Sequence, residues 1–309
     1  MTLTRRAFGA LTIGTAAAGL LPRVAAAQAL PAGAIDCHIH IVGPQSKYPM
    51  AANRAYTPPE ATVADLRALR TEIGVPRQVI VTPSFYGVDN SCTLDAIAEL
   101  GASARGVAVV PLTVTDAELN RLDRAGFVGT RMNFATAGVT DPFRIAAELL
   151  TLAPKLRTVR WHIQINTSLN VINTLLPILG TLTTQVVFDH IGNPDAALGV
   201  NQPGFNGLVQ AAELGAYVKL SAPYNHSKLP DYSDVAPLAK ALIAARPDRM
   251  LWGTNWPHPA AVRAPVTEIS PYQVVDNQNL VKLFTEWCPD PALQKMILVD
   301  NPARLYRFV

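Results

Sequence analysis

Cysteine is scarce in this sequence, and its scarcity excludes two architectures. The 309 residues include only Cys37, Cys92 and Cys288, which are far apart in the chain. Disulfide-stabilised small domains and zinc sites built from cysteine both need more cysteines at short spacing. A single disulfide bond among the three stays open at this point, and we expect a hydrophobic core to hold the fold.

Long apolar runs are absent beyond residue 27, and charged residues are sparse. A membrane-spanning helix needs about 18 consecutive apolar residues, so we expect no membrane contact from the main part of the chain. Charged residues make up 16% of the sequence, and the net charge is +3. The first 27 residues contain three arginines and no acid, so the remainder has a net charge of 0. This balance gives no reason to expect a nucleic acid as partner.

The first 27 residues have the composition of a bacterial export signal. Arg5 and Arg6 precede Phe8, a weakly apolar stretch occupies 9–21, and the three alanines at 25–27 suit a cleavage site. Paired arginines ahead of an apolar stretch are typical of twin-arginine export. We therefore predict a cleaved signal at 1–27, a mature chain at 28–309 and a periplasmic location. A disordered basic segment is the alternative interpretation.

Short apolar segments alternate with amphipathic segments along the mature chain. Eight strands with intervening helices predict a single-domain α/β fold, the (β/α)8 TIM barrel. The predicted strands are Ile35–Ile41, Gln78–Ser84, Val107–Leu112, Gly129–Phe134, Thr158–Ile165, Gln185–His190, Tyr217–Ser221 and Met250–Thr254. Predicted helices include Val63–Ile73, Ser91–Leu100, Asp116–Ala125, Pro142–Ala153 and Val235–Ala245.

The first predicted strand contains two histidines two residues apart. Alternate side chains of a strand share a face, so we expect Asp36, His38 and His40 on one face and Ile35, Cys37, Ile39 and Ile41 on the other. Two imidazoles at this spacing can hold a metal ion or polarise a carbonyl oxygen. The alternative is one buried, hydrogen-bonded histidine and one histidine in water.

Polar residues collect at the carboxyl ends of the predicted strands. Active sites of (β/α)8 barrels lie at that end, so this convergence indicates an enzyme. The residues concerned are His38, His40, Ser84, Arg131, Asn133, His162, Gln164, Asn166, Asp189, His190, Lys219, Ser221, Asn255 and His258.

Three of these segments resemble motifs of the amidohydrolase superfamily, in its amidohydrolase-2 branch, which includes lactone hydrolases and lactone isomerases. The segments are His38-Ile-His40, Asp189-His190-Ile-Gly and Leu251-Trp-Gly-Thr-Asn-Trp-Pro-His258. The resemblance covers residues 33 to 309. It implies that His38, His40 and His190 hold a metal or, in metal-independent lactonases, polarise the lactone carbonyl.

Asn255 departs from the branch, in which the corresponding residue is normally an Asp that acts as general base. An amide cannot accept a proton near neutral pH, so the Asp mechanism cannot be copied here. Three alternatives stay open. His190 or another histidine is the base while Asn255 orients water; or a bound zinc lowers the pKa of its water; or the reaction is isomerisation of a lactone.

A zinc ion is the expected cofactor, although a metal-independent reaction stays open. The resemblance implies His38, His40 and His190 as ligands, and three histidines with an open position for water suit a catalytic zinc site. His162 is a candidate fourth ligand or substrate contact.

The substrate implied by the resemblance is an anionic lactone, such as a muconolactone or a sulfomuconolactone. Tyr48 and Arg131 match positions that hold substrate carboxylates, and an Arg fork binds carboxylate or sulfonate well. Asn225 stands where another arginine is expected, which favours a substrate with one strong anionic group. Ser84 and His258 complete the predicted substrate contacts. A protein that binds a lactone or sugar acid without turnover is the competing hypothesis.

Overall fold

The computed structural model describes residues 30–260 and 264–309, and the predicted signal at 1–27 lies outside them. Eight parallel strands form one sheet in the order of the sequence. They are β1 (Ile35–Ile39), β2 (Arg77–Val81), β3 (Ala104–Ala108), β4 (Phe127–Asn133), β5 (His162–Asn166), β6 (Val186–Phe188), β7 (Tyr217–Ser221) and β8 (Met250–Gly253).

The first and last strands approach each other and nearly close the sheet into a barrel. Asn255 N donates to His38 O at 2.9 Å, and His40 N donates to Trp256 O at 2.8 Å. These two bonds join the carboxyl ends of β1 and β8, so they fix the two histidines of β1 beside the segment that follows β8. The predicted TIM barrel is confirmed at this level.

Helices follow most of the strands and cover the outside of the barrel. Thr62 begins α1 with a capping box to Asp65, and Asp141 caps the first turn of α4, as expected for helix N-termini. The helices are α1 (Val63–Ile73), α2 (Ser91–Leu100), α3 (Asp116–Arg124), α4 (Pro142–Leu156), α5 (Leu169–Leu179), α6 (Phe205–Glu213), α7 (Ala236–Ala245), α8 (Asn277–Trp287), α9 (Pro291–Lys295) and α10 (Asn301–Tyr306). Within the described residues no helix is both long and apolar enough to cross a membrane.

The interior of the barrel has its own apolar cluster, separate from the larger one between strands and helices. Ile35 and Cys37 of β1 join this inner cluster, whereas Ile39 packs in the outer one. The predicted strict alternation along β1 is therefore wrong, because the pairing register with β2 shifts between Asp36 and Ile39. A bulge of this kind turns successive side chains out of alternation. All three cysteines are buried and unbonded.

The predicted bounds of two strands need correction. β3 spans Ala104–Ala108 rather than Val107–Leu112, and β5 begins at His162 rather than Thr158. Arg160 adopts a positive φ of 54°, and Trp161 N donates to Leu156 O at 3.2 Å. This turn keeps the chain out of the sheet until His162, which consequently lies at the amino end of its strand.

Candidate active site

A pocket of about 290 Å³ opens at the carboxyl ends of the strands, and we call it the mouth pocket. No Asp or Glu is among its lining residues, which include one arginine, two histidines and five asparagines. The predicted site residues that line it are His40, Ser84, Arg131, His190, Asn225 and Asn255. The structure therefore brings six of the ten predicted site residues to one cavity.

The asparagines form part of a hydrogen-bonded chain along one wall of the pocket. Asn193 Nδ2 donates to Asn166 Oδ1 at 2.7 Å, and Asn166 Nδ2 donates to Asn133 Oδ1 at 2.9 Å. Asn133 Oδ1 in turn accepts from the backbone N–H of Thr136 at 3.1 Å. This series of hydrogen bonds links β4, β5 and the loop after β6. It fixes the shape of this wall with uncharged groups.

A buried charge network lies beneath the pocket around Asp189. Arg131 Nε donates to Asp189 Oδ2 at 2.9 Å, and Gln164 Nε2 donates to the same oxygen at 3.1 Å. Lys219 Nζ lies 3.6 Å from Asp189 Oδ1 and donates to Gln164 Oε1 at 2.7 Å. Two cations therefore surround one carboxylate, and of these three groups only Arg131 lines the pocket.

Burial and neighbouring charge set the protonation states of this network. Burial alone raises the pKa of Asp189, but Arg131, His38 and Lys219 outweigh it and hold that pKa well below its usual range. Burial lowers the pKa of Lys219 to about 8, against the opposing influence of Asp189. Asp189 is thus a carboxylate and Lys219 an ammonium near neutral pH.

His38 and His190 flank the carboxylate and complete a possible metal site. One ligand atom each from His38, Asp189 and His190 lies within 4.8 Å of the others. His38 Nε2 is buried and has no hydrogen-bond partner among the described residues, whereas Asp189 Oδ1 lies 3.3 Å from His38 Nδ1 and 3.6 Å from Lys219 Nζ. Two neutral imidazoles and a carboxylate are donors that zinc accepts, so these residues fit the ion by their chemistry. This group differs from the predicted metal ligands in one member, because it contains Asp189 and not His40.

His40 is held apart from that group by a backbone contact. Its Nδ1 lies 2.7 Å from the carbonyl oxygen of Val81. A carbonyl only accepts, so Nδ1 carries the proton and Nε2 keeps its lone pair. Burial, followed by the charge of Arg131, lowers the pKa of His40 to about 3, and burial lowers that of His190 to about 3. Both rings are neutral at physiological pH.

Asn255 lies at the junction of β8 and β1 in a left-handed conformation. Its φ is 61°, a conformation that asparagine tolerates better than most residues. Asn255 Nδ2 donates to the Tyr224 hydroxyl at 2.9 Å, which directs the amide group. Nearby, Asp36 accepts from the Thr254 hydroxyl at 2.6 Å and from the His38 N–H at 3.0 Å, so it braces the same junction.

Three predicted substrate residues lie outside the mouth pocket. The Tyr48 hydroxyl donates to Asp95 at 2.7 Å in a separate crevice beside α2. His258 is within hydrogen-bond distance of the Tyr224 hydroxyl and Asn277, at 3.0 and 2.9 Å. His162 lines a cavity at the amino ends of the strands, because β5 begins later than expected. His38 is not in the wall either, since it lies fully buried beneath it.

Sequence reasoning did not include several residues of the site among its predictions. Asp189 and Lys219 were noted at strand ends, but no rule of spacing shows that they pair. Asn193 follows the Asp189-His190 motif in a left-handed turn with φ 54°. An Asn in such a turn is a recognisable signal, although its hydrogen bond to Asn166 depends on the tertiary fold.

A family model described as amidohydrolase matches residues 35–308. The chain belongs to the amidohydrolase family. This match spans the barrel from β1 to the residues after α10, so the predicted resemblance is confirmed over the whole described domain.

Curated relatives of this amidohydrolase act on lactones, according to their names. It is 36% identical over 288 residues to a 2-pyrone-4,6-dicarboxylate hydrolase of Comamonas testosteroni, covering 90% of this chain and 91% of the relative. It is 35% identical to a 4-sulfomuconolactone hydrolase of Rhizobium radiobacter, covering 90% and 91%. A D-galactarolactone isomerase of Agrobacterium fabrum is 29% identical, covering 90% and 92%.

Solved structures share the fold of this amidohydrolase. A crystal structure of a probable 2-pyrone-4,6-dicarboxylic acid hydrolase from Acinetobacter baumannii, with citric acid bound, superimposes with a TM-score of 0.76. The two chains are 25% identical, and the alignment covers 89% of this chain and all of the other.

Proposed function

We propose that this amidohydrolase hydrolyses a lactone that carries one strongly anionic group, such as a muconolactone or 4-sulfomuconolactone. The mouth pocket carries the proposal: Arg131 lines it beside two neutral histidines, and none of its lining residues is an acid. An anionic substituent is therefore attracted by Arg131 and meets no carboxylate in the wall. The names of the relatives support a lactone as the reacting group.

The general base in this proposal is His40. Its ring lines the pocket, its proton is fixed on Nδ1 by Val81, and its Nε2 lone pair is available. His190 belongs to the possible metal group, and its Nδ1 lies 2.8 Å from the Ser221 hydroxyl. His40 is outside that group and can accept a proton whether or not a metal is present. Of the histidines considered as general base, we therefore prefer His40 to His190.

Hydrolysis then takes two proton transfers at one imidazole. The water oxygen bonds to the lactone carbonyl carbon while His40 Nε2 takes a proton from the water. The ring C–O bond breaks next, and the imidazolium returns the proton to the departing ring oxygen, which gives a hydroxy acid. Asn255 supplies an amide oxygen that can accept a hydrogen bond from the attacking water and orient it.

A zinc ion held by His38, Asp189 and His190 is part of the proposal. Such an ion polarises a carbonyl oxygen and lowers the pKa of bound water. Burial lowers the pKa of His190 to about 3 and that of His38 well below its usual value, so each neutral ring keeps one unprotonated nitrogen that can bind a metal.

The first experiment measures the zinc content of the purified protein and its turnover of muconolactone, 4-sulfomuconolactone and 2-pyrone-4,6-dicarboxylate. We expect acid release with at least one of the three, and loss of turnover on chelation that zinc reverses. Turnover that survives complete chelation would overturn the proposed role of zinc and leave a mechanism that depends on His40 without a metal. A protein inactive on every lactone, with and without zinc, would overturn the hydrolase.

Isomerisation is a second candidate because Asn255 leaves the pocket without the usual carboxylate base. NMR of D-galactarolactone incubated with the protein distinguishes ring migration from ring opening. Asn255→Asp distinguishes an enzyme from a protein that binds a lactone without turnover. Asn225→Asp is the matched control, because it makes the same change elsewhere in the pocket. If Asn255 orients water, its replacement lowers existing turnover; if only Asn255→Asp creates turnover, the native protein is a binder.

Export through the twin-arginine route is the remaining part of the proposal. It is supported by Arg5, Arg6 and the alanines at 25–27. Cell fractionation of the native chain and of Arg5→Lys with Arg6→Lys tests it, and equal cytoplasmic retention of both would overturn it.

A further inference from the structure

The face of the barrel opposite the mouth has a larger cavity, which we call the floor cavity. Its volume is about 700 Å³, and residues at or just before the amino ends of strands line it. His162 and Tyr217 are the first residues of β5 and β7, while Gln185 and Arg249 directly precede β6 and β8. A pocket of this size is in the range of small-molecule sites, and the lactone chemistry does not use it.

Positive charge is concentrated in the floor cavity without a matching acid in its lining. The five arginines that line it are Arg157, Arg160, Arg249, Arg304 and Arg307. Only two of them have carboxylate partners within the described residues: Arg307 lies 2.7 Å from Asp123, and Arg249 lies 3.5 Å from Asp248.

Arg157 and Arg160 are unpaired at the edge of this cavity. Their side chains form no hydrogen bond or ion pair with any described residue. Both follow α4 in the turn that delays the start of β5, so the backbone presents two free guanidinium groups within three residues. A planar guanidinium binds phosphate or carboxylate through two parallel hydrogen bonds.

His162 provides an independent sign of a ligand at the depth of the cavity. The side chain is 2% exposed, and among the described residues neither ring nitrogen has a hydrogen-bond partner of good geometry, its one weak contact being with the backbone of Val128. The adjacent Tyr306 hydroxyl is also buried without a partner, and the two ring centroids are 5.2 Å apart. Buried polar groups in native proteins are seldom left unpaired, because a buried group without its hydrogen bond is destabilising.

The neighbouring strand leaves space for this imidazole. Gly129 lies opposite His162 in the β4–β5 pairing, and a Cβ at that position would overlap the ring. The glycine therefore permits a large polar side chain to stand at the base of the cavity. An apolar residue would fill the same space without leaving two nitrogens unpaired.

We propose that the floor cavity binds a small polyvalent anion, either a phosphate ester or a polycarboxylate. Arg157 and Arg160 bind its charged groups at the edge, and His162 meets it at the base. The cavity volume and the number of arginines that line it suit an anion with at least two charged centres more than a single inorganic phosphate.

Isothermal titration at low ionic strength tests the proposal with three probes: inorganic phosphate, pyrophosphate and citrate. We expect one saturable site per chain, with pyrophosphate or citrate tighter than phosphate. Their order distinguishes a phosphate site from a carboxylate site. Arg157→Gln with Arg160→Gln should weaken that binding at least about tenfold, since two charge-assisted hydrogen-bond donors are lost.

Arg144→Gln is the control for loss of a guanidinium elsewhere, because it removes one positive charge, where the double variant removes two, near the other end of α4, about 20 Å away. It should leave the affinity unchanged. Equal affinity in the double variant would assign the binding to the mouth and overturn the proposal, as would the absence of saturation with all three anions. Tighter binding of an acidic peptide than of any small anion would overturn it in favour of a protein partner.

A second variant tests the base of the cavity. His162→Gln should weaken pyrophosphate or citrate binding while circular dichroism shows an intact fold. If His162→Gln binds as tightly as the native protein, the ligand does not reach the buried imidazole and the proposed site is wrong in depth.

Discussion

The two ends of this barrel handle positive charge in opposite ways. At the mouth, Arg131 and Lys219 are buried and share one carboxylate, Asp189, while asparagines and neutral histidines form much of the wall. At the floor, five arginines line a wider cavity, and two of them have no partner within residues 30–260 and 264–309. Tyr306 separates the ends: Lys219 Nζ lies 5.9 Å from its ring centroid, and His162 packs against the same ring.

This difference indicates that the mouth is suited to catalysis and the floor to the binding of an anion. A buried cation held by a buried carboxylate keeps one position, so a reacting group meets a preorganised field. Partly exposed arginines are screened and mobile, which suits binding of an anion but not catalysis. The fixed His40 tautomer and the left-handed Asn255 belong to the mouth, in agreement with this division.

A fall in pH should have the largest effect on the stability of the molecule, and it should act through histidines at both ends of the barrel. All six histidines are buried, and burial lowers the pKa of each. The unfolded chain takes up protons below about pH 6.5, whereas His226 and His258 in the folded chain do so only near 4. Stability is therefore lost as pH falls, by roughly 1.4 kcal/mol per pH unit for each histidine.

Urea unfolding at several pH values between 7 and about 4.5 measures this loss. The slope should correspond to more than one proton taken up on unfolding, each contributing roughly 1.4 kcal/mol per pH unit. His162→Gln at the floor and His258→Gln near the mouth should each reduce the slope by about one proton. A slope unchanged by either variant would contradict the neutral state of that histidine.

Asp189→Asn should have the next largest effect. It leaves Lys219 and Arg131 buried without their carboxylate, and removal of one partner of a buried pair costs about 3–5 kcal/mol. Turnover should fall roughly a hundredfold to a thousandfold, since the charge beneath the pocket becomes more positive and the carboxylate that fixes Arg131 is lost. Denaturation and steady-state kinetics measure both effects.

Glu148→Gln is a suitable control for Asp189→Asn, because it removes a carboxylate from a surface pair with Arg144 on α4. Exposed pairs of this kind contribute little, so stability and turnover should stay close to those of the native protein. Similar losses in both variants would show that the Asp189 network is no more important than a surface pair.

Arg131→Lys should have a smaller effect, confined to charged substrates. Lysine keeps the charge but loses the planar fork, so kcat/KM for an anionic lactone should fall about 30- to 100-fold. A neutral lactone of similar size should lose much less. An equal loss for both substrates would mean that Arg131 acts only through its bond to Asp189, with no contact to the anionic group.

The sequence predicted the mouth better than the floor, for physical reasons. The positions of these residues at strand ends, in the motifs of β1, β6 and β8, placed His40, His190 and Asn255 at one end, because parallel strands of a barrel end together. The error at His162 came from a local turn: Arg160 in a left-handed conformation delays β5. Tyr48 was misplaced because the path of a long loop depends on what packs beneath it.

Salt should have the smallest effect and should separate the two ends most directly. Arg131 is buried and paired, so raising ionic strength from about 0.05 to about 0.5 M should change KM for an anionic lactone less than about threefold. The floor arginines repel one another in partial exposure, so the same salt should raise the free energy of unfolding by about 1 kcal/mol or less. In Arg157→Gln with Arg160→Gln this gain should shrink, whereas in Arg144→Gln it should persist. A KM that rises more than about tenfold with salt would place the anionic group of the substrate against exposed cations rather than against Arg131.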